Sequence, residues 1–218
     1  MNKNENFIIT INRELGSGGR TVGRKLSEKL GVPFYDKWLI NELKSKFNIS
    51  TEEVEKVKGG NSSWWREMLN SAIYMGERMS EINSVPHPPM DAYHLVTTDD
   101  MYKVETEIFS HLADNESCIV AGRTGFYVFR NHPNHLSILI QASMPHRVER
   151  VARKQNITEE EARKAIDKVD KMRENYVNKY TQSSRYDTRN YDLVISMDRM
   201  SEDDAVNLIM DYIKCQSK

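Results

Sequence analysis

The sequence is poor in cysteine: Cys118 and Cys215 are the two in 218 residues. A disulfide framework and a cysteine-based metal site are both excluded by so small a number at so wide a spacing. The chain also lacks a surplus of one charge, with 31 Lys and Arg against 32 Asp and Glu, a formal net charge of −1. A dedicated nucleic-acid coat would be strongly basic, so no nucleic-acid partner is expected beyond what a local patch could hold. Long apolar runs are missing too. The densest, 7–11 and 136–140, are far too short to span a bilayer, and no membrane association is expected. Residues 1–6 are polar and carry no signal-peptide core. The six histidines show no H-E-x-x-H spacing, and no metal-ligating set of protein residues is expected. What remains is a reduced, cytoplasmic, globular chain. At 39% hydrophobic and 29% charged it has material for a core. Its length suits one domain carrying an insertion.

Strand and helix signals alternate along the chain. Phe7-Ile8-Ile9-Thr10-Ile11 is a β-branched run that predicts a buried strand. Gly16-Ser17-Gly18-Gly19 breaks it, and Val22, Leu26 and Leu30 then recur at helical spacing before Gly31 stops the helix. Val32-Pro33-Phe34-Tyr35 predicts a second strand, which makes a βαβ unit. Helices are predicted over 36–47, capped by Asp36, and over 51–58, 63–82 and 97–113, with a proline-rich linker at 85–89. Strands return at 117–121, 136–141 and 191–195. Charged helices lie between them at 144–155 and 158–180, and a last helix, capped by Ser201, covers 201–214. The expectation is a three-layer α/β/α sandwich around a parallel five-stranded sheet, with a helical insertion at 37–96.

In such sheets ligands sit at the C-terminal ends of the strands, and the first strand-to-helix turn is a ready anion site. Gly16, Gly18 and Gly19, with Ser17 among them, would let backbone N–H groups converge on a phosphate. The standard phosphate loop reads G-x-x-x-x-G-K-[ST]. With Gly18 as its second glycine, Arg13 stands at the first, Gly19 stands where the lysine belongs, Arg20 stands at the hydroxyl position, and Thr21 comes one later. Positive charge must come from elsewhere, and Arg20 and Arg13 are the candidates.

The stretch from Ile11-Asn12-Arg13-Glu14-Leu15-Gly16-Ser17-Gly18-Gly19-Arg20 to Pro33-Phe34-Tyr35-Asp36 resembles the cytidylate kinase-like family, whose signature is R-E-x-G-S-G-G-R followed by a helix and P-[FY]-x-D. Val120-Ala121-Gly122-Arg123, Asp170-Lys171-Met172-Arg173-Glu174-Asn175-Tyr176 and Asn190-Tyr191-Asp192-Leu193-Val194-Ile195 agree with it in order. The resemblance implies a nucleoside monophosphate kinase fold with a P-loop core, an acceptor-side insertion and a lid at about 144–190, all in one kinase-like α/β domain over 1–218. It implies ATP with Mg²⁺ as cofactors and small-molecule nucleotides as partners. Arg123, where cytidylate kinases have G-R-D and this chain continues with Thr124, would contact the acceptor. Arg153 and Arg173 would be lid arginines closing on the transferred phosphate. Asp36 would hold a Mg²⁺-bound water or an acceptor hydroxyl, besides capping its helix.

Residues 144–190 hold twelve basic and eight acidic side chains, and Arg147, Arg150 and Lys154 share one helical stripe. A solvated face with internal salt bridges accounts for most of these. Two functions stay open. One is ATP-dependent phosphoryl transfer to a nucleoside monophosphate, CMP or dCMP by resemblance. The other is a non-catalytic nucleotide- or phosphate-binding regulatory protein with a degenerate loop.

Overall fold

The structure, a computed structural model, describes residues 5–36 and 98–216. The chain divides into two compact units, one made of Met1–Tyr35 with Leu112–Lys218 and the other of Asp36–His111. In the first unit β1 (Ile8–Arg13), β2 (Phe34–Tyr35), β3 (Cys118–Ala121), β4 (His135–Gln141) and β5 (Leu193–Ser196) form a five-stranded sheet in the order β2-β3-β1-β4-β5, every neighbour parallel. The expected α/β fold with a five-stranded parallel sheet is therefore the observed one.

β1 runs two residues beyond its apolar run, because Asn12 and Arg13 pair with Leu139 and Ile140 of β4. β5 begins at Leu193, two residues later than its sequence signal. Before it, the Asp192 carboxylate accepts the Ser137 backbone N–H at 2.8 Å and so takes the place of a strand carbonyl.

Ile9 and Ile11 of β1 face the helix α1 (Gly19–Leu30), whose Val22 and Leu26 are fully buried. The closing helix, Glu202–Gln216, adds Val206, Ile209 and Ile213 to that core. Each such side chain contributes about 1.5–3 kcal/mol by leaving water. On the other face Thr10 meets a short helix, Gly125–Val128, and donor and acceptor on Thr10 Oγ1 and His135 Nε2 are 2.8 Å apart. That four-residue helix is too short to leave a periodic signal in the sequence.

In chain order the helices are α1, α2 (Thr98–Asn115), α3 (Gly125–Val128), α4 (Met144–Gln155), α5 (Glu159–Thr181) and α6 (Glu202–Gln216). α4 and α5 pack on each other through Val148, Val151, Ala162 and Ile166, with Leu15 of the glycine loop against the same cluster. α5 starts with a capping box between Thr158 and Glu161. Ser201 caps α6 through the Asp204 N–H at 3.1 Å. No described helix is long and apolar enough to cross a membrane.

The second unit contributes Asp36 and most of α2 to the described residues. Within α2, the Thr106 hydroxyl donates to the Tyr102 carbonyl at 2.9 Å and the Ser110 hydroxyl to that of Thr106 at 3.0 Å. The predicted helices at 36–47, 51–58 and 63–82 and the linker at 85–89 lie, apart from Asp36 itself, outside the described residues.

Candidate functional site

The strand order puts β1 beside β3, yet the chain leaves β1 for β2 on one side and β3 for β4 on the other. Their C-terminal ends are thus the switch point of the sheet, where doubly wound folds bind ligands. The loop of residues 14–18 sits on the end of β1. Gly16 at φ 88° and Gly18 at φ 85° are both left-handed, which glycine adopts without cost. A Cβ at Gly16 would lie 2.7 Å from the Arg147 carbonyl oxygen, so the loop is pressed against the first turns of α4. Ser17 is buried and its hydroxyl donates to the Glu14 carbonyl at 3.0 Å.

Gly19 opens α1 and explains the missing lysine. A Cβ there would stand 2.5 Å from the Arg13 Cβ and 3.3 Å from the Ile140 Cβ, so no side chain fits where the standard loop has its lysine. α1 also has no acidic residue in its first turn, whereas α5 begins with Glu159, Glu160 and Glu161 and α6 with Glu202, Asp203 and Asp204. Acids normally settle on the positive end of a helix; here that end carries Arg20, exposed, and Thr21.

A carboxylate on α5 holds the loop in shape. Asp170 is buried, and its Oδ1 accepts the Leu15 N–H at 3.0 Å. Its Oδ2 accepts from Arg147 Nη1 at 2.5 Å, and the Nη1 atoms of Arg173 and Arg185 both stand 3.5 Å from Oδ1. Arg173 Nη1 also donates to the Arg13 carbonyl at 3.1 Å, and Arg185 Nη2 donates to the same oxygen. Glu14 completes the cluster: its Oε2 accepts the Ala142 N–H at 3.1 Å and lies 3.7 Å from Arg147 Nε. Three guanidiniums therefore share two carboxylates, and positive charge is left over beside the loop. Arg185 is 1% exposed, yet its Nε and Nη1 make no hydrogen bond among the described residues, and neither does Arg147 Nε. Burial, and then the neighbouring Arg185, pull the Arg173 guanidinium below its ordinary pKa, with Asp170 opposing them. Tyr191 ties this cluster to β1: its hydroxyl accepts from Asn12 Nδ2 at 2.6 Å and donates to the Arg185 carbonyl at 2.7 Å.

Arg13 reaches across the switch point to Gly122, the residue before Arg123. A Cβ on Gly122 would fall 2.0 Å from Arg13 Nη1, with Cζ and Nη2 farther off at 3.2 and 3.8 Å, so the Arg13 guanidinium meets the β3 exit end-on. Arg123 follows at φ 56°, a left-handed conformation uncommon outside glycine, and its guanidinium carbon is 5.1 Å from the centre of the Tyr176 ring on α5. The structure thus brings Arg13, Gly16, Ser17, Gly18, Gly19, Arg20, Thr21, Arg123 and Arg173 to one end of the sheet. Arg153 stands apart on the exposed face of α4, 3.9 Å from Glu149. Asp36 follows β2, is buried, and belongs to the second unit.

Asp170, Glu14, Arg185 and Arg150 join the site from the structure: Glu14 and Asp170 lie inside the family-like stretches and Arg150 on the helical stripe, but none carries a site role in the sequence reading. Arg150 reaches α1 from α4: its Nη2 is 3.5 Å from Thr21 Oγ1, and its Cζ would touch a Cβ on Gly18 at 3.4 Å. The residues present fit the phosphates of a nucleotide: left-handed glycines at a free helix end, ringed by guanidiniums. No group of three or more His, Cys, Asp or Glu able to hold a metal occurs among the described residues. Thr21, in the first turn of α1, is the residue here whose hydroxyl would hold a Mg²⁺ that came with the nucleotide.

A sequence model of the cytidylate kinase-like family matches residues 8–199. No curated protein matches the chain. Among solved structures, an uncharacterized protein from Eubacterium ventriosum ATCC 27560 is similar at 24% identity and a TM-score of 0.66, over 95% of this chain and 98% of that one. Shikimate kinase from Bacteroides thetaiotaomicron is similar at 12% identity and a TM-score of 0.51, over 95% and 98%. Shikimate kinase from Acinetobacter baumannii, solved with shikimate, is similar at 14% identity and a TM-score of 0.50, over 97% and 94%. At these identities the likeness is one of fold.

Proposed function

The chain belongs to the cytidylate kinase-like family, and from that membership we propose that it transfers the γ-phosphoryl group of ATP to a nucleoside monophosphate, CMP and dCMP being the first acceptors to try. The observation that carries this reading is the meeting of a glycine cradle with surplus guanidinium charge at the β1/β3 switch point. Phosphoryl transfer needs positioning and charge neutralisation more than covalent chemistry. Bound with ATP, Mg²⁺ would neutralise part of the phosphate charge, with Thr21 the residue of the loop end best suited to hold it.

In this reading the backbone of Gly16–Thr21 holds the donor phosphates. Arg13 and Arg20 supply the charge that the loop lacks. Arg123 faces the acceptor phosphate from the β3 exit. Arg173 joins the transferring group from α5 while its Asp170 contact keeps the loop shaped. Arg153 reaches the phosphates when α4 and α5 close as a lid over about 144–190, which also excludes water. Asp36 serves the acceptor side or a Mg²⁺-bound water, just before an acceptor-side insertion at 37–96 of a single kinase-like domain. The protein would work in the cytoplasm, where ATP and nucleoside monophosphates are found.

The test is ADP formation from Mg-ATP with a panel of nucleoside monophosphates. Shikimate is included because two of the similar folds are shikimate kinases. Acceptor-dependent ADP with CMP or dCMP is expected. ADP with shikimate alone would move the acceptor class. A second reading, a nucleotide-binding regulatory protein without transfer, is favoured by Gly19 at the lysine position. Saturable ATP binding with no acceptor-dependent ADP would establish it.

A further inference from the structure

The loop's missing lysine has a specific successor in the fold. Arg150 lies on the inward face of α4, far from the glycine loop in sequence. Its guanidinium nonetheless lies over Gly18, with Cζ, Nη2 and Nη1 at 3.4, 3.5 and 3.7 Å from the position of a Cβ there. A Cβ at residue 18 would only touch it at ordinary van der Waals distance; glycine is called for there by the left-handed φ of 85°. Nη2 is 3.5 Å from Thr21 Oγ1 in the first turn of α1. The side chain is largely buried, at 15% exposure, so its direction is set by packing.

That position is electrostatically odd. The N-terminal end of α1 is already positive, carries no acid in its first turn, and bears Arg20. Adding a guanidinium there is unfavourable unless an anion joins both. Within the fold one carboxylate supplies that anion. Glu202 Oε1, at the start of α6, accepts from Arg150 Nη2 at 2.6 Å. Partial burial is the largest single influence and works against the Glu202 charge, but the Arg150 hydrogen bond and charge, the backbone N–H and Lys25 together outweigh it, so the carboxyl stays below its usual range. Lys154, one turn along the same face of α4, and Arg24 of α1 are close enough to act on the same neighbourhood, for burial first and then Arg150 and Arg24 pull the Lys154 ammonium down. Glu202 is thus the carboxylate that answers Arg150 beside the first turn of α1, while the neighbouring Lys25 is paired with Asp203 at 2.8 Å.

We propose that Arg150 takes the place of the loop lysine, gripping the outer phosphates of the donor nucleotide, and that the Glu202 carboxylate is the internal anion those phosphates displace. This rests on the reading of the loop as an ATP site. It differs from the expectation drawn from the sequence, which places the replacement within or next to the loop, at Arg20 or Arg13. A planar guanidinium fits two phosphate oxygens where a lysine fits one. An arginine delivered from α4 also makes phosphate binding report on the α4–α6 contact, because the Arg150–Glu202 bond opens when the nucleotide enters.

The experiment is calorimetric titration of the full-length protein with the Mg²⁺ complex of a non-hydrolysable ATP analogue, and separately with AMP. It compares wild type, Arg150→Met, Arg150→Lys and Glu202→Gln, each with its melting temperature recorded. Arg150→Met keeps the packing stem and should weaken the triphosphate at least tenfold while changing AMP affinity less than twofold. Arg150→Lys should recover part of the loss. Glu202→Gln, which removes the competing anion, should tighten the triphosphate severalfold even though it loses an ion pair. A bridge that only pins α4 to α6 would give the opposite pattern, with both variants less stable and neither favouring the triphosphate. Wild-type binding with unchanged affinity in Arg150→Met, or looser binding in Glu202→Gln, overturns the proposal while leaving the ATP site standing. No wild-type binding overturns the site itself and this proposal with it.

Discussion

Replacing Asp170 with Asn would keep the shape of the side chain and one oxygen able to accept the Leu15 N–H, and would remove only the charge. Around that charge stand Arg147 at 2.5 Å and Arg173 and Arg185 at 3.5 Å, all within a buried cluster whose other anion is Glu14. Removing one partner of a buried ion pair typically costs about 3–5 kcal/mol, because the remaining charge is left without compensation. Here three guanidiniums would share one carboxylate, so the upper half of that range is expected. A domain of this size loses about 2–4 °C per kcal/mol, which makes the drop in Tm about 8–20 °C. Urea unfolding at neutral pH measures the free energy directly. The double variant Asp170→Asn with Arg147→Met supplies the internal control. It should cost clearly less than the sum of the single changes, since each alone strands a buried charge that the other removes. A loss below about 1 kcal/mol for Asp170→Asn, the value of an exposed surface pair, would refute the idea that this carboxylate organises the loop. So would strict additivity in the double variant.

Two further outcomes follow from the same geometry. Restoring the standard lysine by Gly19→Lys should fail: its Cβ would meet Arg13 Cβ at 2.5 Å, so about 1–3 kcal/mol of stability should be lost with no gain in ATP affinity, as unfolding and titration would show. His135 is held neutral, mainly by burial, with its pKa lowered to about 4 from 6.5. The unfolded chain therefore takes up a proton below pH 6.5 that the folded chain refuses until about pH 4. This contribution to stability is full above pH 6.5 and falls as pH drops towards 4. Between pH 7.5 and 5 the wild type should lose about 2 kcal/mol more than a His135→Asn variant, at 1.36 kcal/mol per pH unit, and equal losses in urea unfolding would show that His135 titrates normally.

Much of the core is readable in the sequence because its pattern is local. The β-branched run at 7–11, the Val22 and Leu26 stripe, and glycine at the turn each carry a periodic or conformational signature. The glycine loop is readable for the same reason. The cluster behind it is not, since twelve basic and eight acidic residues over 144–190 look like a solvated face. A finer signal is present. Asp170 falls in register with Ala162, Ile166, Val177 and Thr181, the buried stripe of α5, and a carboxylate on an apolar stripe needs buried partners. Arg147 likewise neighbours Val148 and Val151 on the inward side of α4. Arg185 has no such signal: it lies between α5 and β5, where no periodicity operates, and its burial is decided by long-range packing. Arg150 falls on a helical stripe, but its reach to Gly18 depends on how α4 crosses the loop, which spacing along one helix does not encode.

Phosphoryl transfer at the glycine loop can be followed with γ-labelled Mg-ATP mixed with the protein and CMP or dCMP. The label is expected to appear in the nucleoside diphosphate, and Asp170→Asn and Arg150→Met are both expected to slow its appearance. Label that stays in ATP or is released only as inorganic phosphate, whether or not a nucleoside monophosphate is present, would contradict it.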